Sequence, residues 1–358
     1  GSPTMSRPNC LHYLTFAMVL PAACASAPEQ TNNTRALQID NRSGCALFLR
    51  QAVRDGWGAT TSLGDASSIA ARLAPGRYAL RIGTNGPHIP LPVPIAELGF
   101  EPPTKTSVTV WPWPKPLPGW CWIPSGYALR GDDLGIGQED ERPMSTPMSN
   151  GFWLAERETT NAQFVTFLNA IGRDAIDHTW LDLGGRKCRV AWRDSANAFT
   201  TDVPDLPIVT VSFRGALAYC SWLSQTNGAR HRLPSETEWE KAARGPGSRV
   251  YAYGDTFRTA AANQESGRLV ATGCYSPNGF GLFDMTGNAF EWTGDCYQRD
   301  AYGGTQTTCD EHCAYRSLRG GSFVLDGIFV RNSMRMRLRP EVRADDVGFR
   351  VLREHVAE

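Results

Sequence analysis

The 358-residue sequence predicts an α+β protein in which a small all-β sandwich precedes a larger mixed region. Between residues 36 and 111, short apolar runs (36–39, 45–49, 78–82 and 107–111) are separated by Asn-Arg-Ser-Gly, Ala-Pro-Gly and Thr-Asn-Gly, all turn formers. Residues 112–118, Pro-Trp-Pro-Lys-Pro-Leu-Pro, alternate proline and read as a stiff spacer. Beyond it, a few well-capped helices are scattered among Gly- and Trp-rich stretches. The chain closes on Arg319–Arg350, where Met334 and Met336 alternate with Arg335 and Arg337 as in a strand with one apolar and one charged face.

The N-terminus reads as processing sequence. Gly-Ser-Pro-Thr before Met5 has the character of an expression remnant and is excluded from the fold. Arg7, the apolar run LHYLTFAMVLPAA and small residues to Ala27 then form an export leader, too short for a comfortable membrane span, so residues 1–27 are assigned to it. Leu20-Pro-Ala-Ala-Cys24 resembles a lipoprotein box, although Pro21 sits where a larger aliphatic residue is usual, and Ala25-Ser-Ala27 offers ordinary cleavage instead. The expectation is a periplasmic or outer-membrane lipoprotein acylated at Cys24. A polar tether, 28–35, follows, then the β sandwich (36–111), the linker (112–118) and the main region (119–358).

Composition excludes several classes. Thirty-six Lys and Arg balance 36 Asp and Glu, so no net field favours nucleic acid or an anionic membrane. No His-Glu-x-x-His helix, Gly-x-Ser-x-Gly elbow or phosphate loop is present. Of ten cysteines, Cys10 and Cys24 belong to the leader, leaving eight, an even number that suits disulfides in an oxidising compartment. Cys296 with Cys309 or Cys313 is the nearest pair, closing a Gly/Thr-rich excursion. Cys309-Asp-Glu-His312-Cys313 offers three zinc-type ligands but no fourth.

Helix signals in the main region are local and strong. Thr160 to Gln163 forms a capping box, followed by Phe164, Phe167, Leu168 and Ile171 on one face and Gly172 as a stop. Ser212 caps a second helix with Ala216, Tyr219, Cys220 and Leu223 inward and Asn227-Gly228 at its end. Ser235-Glu-Thr-Glu238 is another capping box, then Trp239, Ala242, Ala243 and the stop Gly245. Capping and the helix dipole account for these glutamates. Residues 174–205 carry no periodic pattern.

Five stretches in order, 151–170, 206–213, 232–245, 277–292 and 319–350, resemble the motifs of the formylglycine-generating-enzyme family, also called the sulfatase-modifying-factor family. The resemblance covers residues 119–353 and implies a C-type-lectin-like fold. In catalytic members two cysteines of the closing motif hold copper and oxidise a substrate cysteine. Those positions fall here on Leu325 and Val330, hydrocarbon side chains that cannot ligate Cu(I), so no copper and no formylglycine-generating activity are expected. The resemblance also implies calcium at Asp284, Gly287, Ala289 and Glu291, a set of carboxylates and turn carbonyls that suits a hard cation.

Two functions follow from the resemblance. Exported members without the cysteine pair include envelope regulators of secretion systems and diversified ligand-binding proteins. On that reading the chain is a non-catalytic protein whose partner meets Leu325, Asp326, Ile328 and Phe329. The alternative is a periplasmic metal-dependent oxidoreductase of the siderophore-maturation type, with Glu291, Asp326 or His312 supplying acid–base chemistry.

Overall fold

A computed structural model describes residues 35–74, 76–93, 105–301 and 313–355. The leader, Cys24, the tether, Cys309 and His312 lie outside these residues.

The apolar runs near the N-terminus become strands of two sheets. The first has the order β4-β1-β7, with β1 (Arg35–Asn41) antiparallel to β4 (Ser68–Leu73) and parallel to β7 (Lys105–Val110). The second runs β3-β2-β5-β6, all antiparallel: β3 (Gly56–Gly64), β2 (Leu47–Val53), β5 (Gly76–Ile82) and β6 (His88–Val93). Alternate residues point inward from both, so Leu37, Ile39, Ile69 and Val108 meet Leu47, Leu80, Ile82 and Leu91 in one core. Strands β3, β4 and β6 lack a clean apolar run in the sequence. Pairing with β1, β2 and β5 places them, β3 remaining exposed or half-buried along its length, and local pattern does not encode that pairing.

All three helices form where their caps place them. Helix α1 (Asn161–Ile171) starts at Thr160, whose hydroxyl accepts from Gln163 N while the Gln163 side chain returns to Thr160 N. Helix α2 (Phe213–Asn227) starts at Ser212 and ends on left-handed Gly228, and α3 (Glu236–Arg244) starts at the Ser235 capping box. Their apolar faces join the main core, in which Phe164, Phe167, Tyr219 and Phe349 make edge and stacked ring contacts 5–6 Å apart.

Two four-stranded sheets carry the rest. In one, β14 (His231–Arg232), β19 (Leu352–Glu354), β11 (Phe152–Ala155) and β8 (Trp120–Ile123) lie in that order. In the other the order is β17 (Met336–Leu338), β16 (Arg316–Arg319), β15 (Phe290–Cys296) and β18 (Val347–Gly348). Short hairpins add β9 (Gly126–Tyr127) with β10 (Met148–Ser149), and β12 (Val190–Arg193) with β13 (Ala198–Thr201) inside the patternless stretch. The closing segment differs from a simple alternating strand. Regular pairing begins only at Met336, and Arg335 is as buried as Met334 because its guanidinium meets Glu236 on α3.

One disulfide is formed among the described residues, Cys296 to Cys313, with Cα atoms 5.6 Å apart. It selects one of the two pairings left open by the sequence. Cys45, Cys121, Cys188, Cys220 and Cys274 are free thiols, so the wider disulfide framework read from the cysteine count is not formed here. Among the described residues no helix is long and apolar enough to cross a membrane.

Candidate functional site

The closing segment is built on buried arginines. Arg319, on β16, donates to Glu240 and to the carbonyls of Asn332 and Ser333. Arg331 grips Glu141 with two bonds of 2.8 and 2.9 Å, and Arg335 holds Glu236 at 3.0 and 3.2 Å. Arg350 chelates Glu291, with Nη2 2.7 Å from Oε1 and Nε 2.8 Å from Oε2. Two of these pairs tie the closing segment to α3, one to the 139–141 turn and one to β15. Charge buried at this density survives only because every guanidinium finds a carboxylate in bidentate or shared geometry. Glu236 and Glu240 therefore do more than begin a helix. Their partners lie about 80 to 100 residues further on, which no local motif could show.

Within this frame the loop after β16 is exposed at its tip. Gly320 and Gly321 take φ of +96° and +73°, and Gly320 O accepts from Gly287 N at 2.8 Å. A Cβ on Gly321 would lie 2.7 Å from Val330 Cγ1, so glycine is needed there for space as well as for backbone angle. Val330 is fully buried against Val250 and Tyr251, and Leu325 packs on the same small cluster. Leu325 and Val330, which the resemblance aligns with copper-ligand positions, thus share one hydrocarbon-rich cluster. Val324, Ile328 and Phe329 are exposed instead, at 51, 42 and 39%. Asp326 lies beside Glu265, whose carboxyl it pushes above the ordinary range.

The turn before β15 gathers the residues assigned to calcium. Asp284 adopts φ +56°, and its carboxylate accepts from Gly273 N at 2.6 Å. Gly287 contacts the Asn263 and Gly320 backbones, Ala289 N donates to Glu158, and Glu291 accepts from Arg350 and from the Trp239 indole at 2.7 Å. Burial, with Asp284 and Glu291 close by, pushes the fully buried Glu158 carboxyl well above its usual value. Burial likewise raises Asp284. Glu158, Asp284 and Glu291 thus crowd around Arg350, with Arg157 also acting on Asp284, and the two raised carboxyls would release their protons more readily beside a cation. Among the described residues no three His, Cys, Asp or Glu side chains converge as metal ligands, so an ion here would draw on the carbonyls of the turn as well.

These elements define a protein of the sulfatase-modifying-factor class: residues 108–355 match the Sulfatase-modifying factor enzyme 1-like domain, and the chain belongs to that family. It is 32% identical over 240 residues to the serine/threonine-protein kinase Pkn1 of Chlamydia trachomatis, covering 65% of this chain but only 38% of that relative. It is 29% identical over 283 residues to the formylglycine-generating enzyme of Streptomyces coelicolor, covering 64% of this chain and 87% of the enzyme. The structure of PvdO from Pseudomonas aeruginosa superposes with a TM-score of 0.55 at 27% identity, covering 66% of this chain and 94% of PvdO.

Proposed function

We propose that this chain is an exported, non-catalytic member of its family that binds a protein partner of the cell envelope through the 324–329 loop. The observation that carries the reading is the division within that loop. Leu325 and Val330 pack inward on Val250 and Tyr251, while Val324 in the loop and Ile328 and Phe329 on the short helical turn 327–330 are exposed. Clustered exposed apolar residues on a rigid scaffold favour association. Asp326 and Glu265 supply an acidic rim, so the complementary partner surface is apolar with basic edges.

The oxidoreductase alternative has less support in the side chains. Glu291 is committed to Arg350, and Asp326 acts on the Glu265 carboxyl. Stoichiometric copper or iron in the purified protein would favour that alternative. The binding reading is tested by cross-linking and capture from envelope extract with the full chain and with Ile328→Asp/Phe329→Asp. Loss of a specific cross-linked partner in the variant, with unchanged circular dichroism, is the expected result. Equal capture by both proteins would remove the loop from consideration.

A further inference from the structure

A second site lies away from the closing loop, where the N-terminal sheets meet the family region. The contact is firm. Arg77 on β5 holds Asp255 at 2.6 and 3.0 Å, Arg249 holds the same carboxylate at 2.7 Å, and Asp55 accepts from the backbone N–H groups of Asp255 and Thr256. Beside it is a cleft of about 440 Å³, within the range of small-molecule sites.

Four tryptophans wall this cleft: Trp113 from the linker, Trp120 and Trp122 from β8, and Trp153 from β11. Trp122 and Trp153 pack on each other with ring centroids 5.2 Å apart and planes tilted by 57°, and Trp122 also meets His355 at 4.8 Å in an edge contact. Trp239 and Trp292, both fully buried, satisfy their indole N–H groups, on Glu291 and on Val211 O. The four cleft tryptophans make no such bond among the described residues. The Nε2 atom of His88, at the edge of the cleft, is also buried without a partner. Stacking surface and unused polar atoms are thus present together.

The lining carries no Asp, Glu, Lys or Arg. Burial, with Arg50 and Arg81 nearby, holds His88 down to about 4, and burial pushes the Cys121 thiol up to about 11, so both are uncharged at neutral pH. A cationic ligand would find aromatic faces but no counter-charge, and a nucleic acid would find no cation for its phosphates. The chemistry left is a neutral ligand with flat apolar faces and hydroxyl edges. We propose that this cleft binds a neutral saccharide, its pyranose rings stacked on Trp113 and Trp122 and its hydroxyls meeting the unused indole N–H groups and Asn85. This site is independent of the partner loop.

Titration of the full chain with chitotetraose, cellotetraose and maltotetraose, followed by tryptophan fluorescence and calorimetry, tests the assignment. Saturable binding of at least one tetrasaccharide is expected, weakened about tenfold or more in Trp113→Ala and in Trp122→Ala. Trp192→Ala, remote from the cleft, should bind as the parent does. Should the alanine variants fail to fold, Trp122→Phe and Asn85→Ala carry the same expectation of weakened binding. Absence of binding up to about 10 mM, binding indifferent to every cleft variant, or capture of a decaproline peptide in preference to all three sugars would each overturn the proposal.

Discussion

Arg350 and Glu291 chelate one another in the interior, both side chains no more than 1% exposed, with Nη2 to Oε1 at 2.7 Å. Phe283 O takes a further Arg350 donor at 2.9 Å, and Trp239 closes on the far carboxylate oxygen. This pair ties the last strands to β15 and to the turn that carries Asp284. Arg350→Met alone leaves Glu291 buried without its counter-ion and should cost about 3–5 kcal/mol, whereas Arg350→Met with Glu291→Leu should cost less. Urea unfolding of the three proteins checks this. Equal losses in the single and double variants would show that the pair is not coupled.

The same turn crowds Glu158, Asp284 and Glu291 around Arg350, with Arg157 also acting on Asp284, so an added cation should stabilise it. At calcium about 100-fold above its dissociation constant the gain is about 2.7 kcal/mol, seen as a Tm rise that chelator reverses and Asp284→Asn abolishes. A melting curve indifferent to both calcium and chelator would leave the turn to the Arg350 pair alone.

Backbone geometry at the loop gives a further expectation. Gly321→Ala places a methyl 2.7 Å from Val330 Cγ1 at φ +73°, and should cost about 2 kcal/mol or more, about half from the left-handed backbone. Gly83→Ala shares nearly the same φ, +71°, with nothing within 4 Å of its Cβ, and should lose only the backbone part. Thermal melts of the two variants separate packing from strain. Identical losses would mean that Val330 moves aside freely.

Acid titration offers an independent handle on α3. Burial, with Glu236 alongside, pushes the Asp295 carboxyl up to about 6, while the unfolded chain releases that proton near about 3.9. Between those values the native state binds more protons, so this group makes stability fall as pH rises, and the loss is complete above about pH 6. Asp295→Asn should therefore gain on the parent by up to about 3 kcal/mol between about pH 3.5 and 6.5. A difference that stays constant with pH would place the Asp295 pKa at its ordinary value.

Legibility followed the range of each interaction. The caps Thr160, Ser212 and Ser235 each start a helix within three residues of themselves, and all three helices form there. Strands β3, β4 and β6, and the β12–β13 hairpin, were not legible because pairing with other strands, not their own patterns, places them. At the site, the spacing of the closing motif marked Leu325 and Val330 and the absence of thiols there. It did not show that Ile328 and Phe329 face outward while Val330 is sealed.

The family, the order of its motifs, the helix starts and the hydrocarbon identity of residues 325 and 330 were legible in the sequence, because each is written in residue identity or in contacts a few positions apart. Only the tertiary structure decided which glutamate neutralises which arginine, that Cys296 joins Cys313, and that tryptophans from the linker, β8 and β11 face one cleft. Those outcomes depend on burial shared between segments distant along the chain, where desolvation makes each charge and ring choose its partner by position in space.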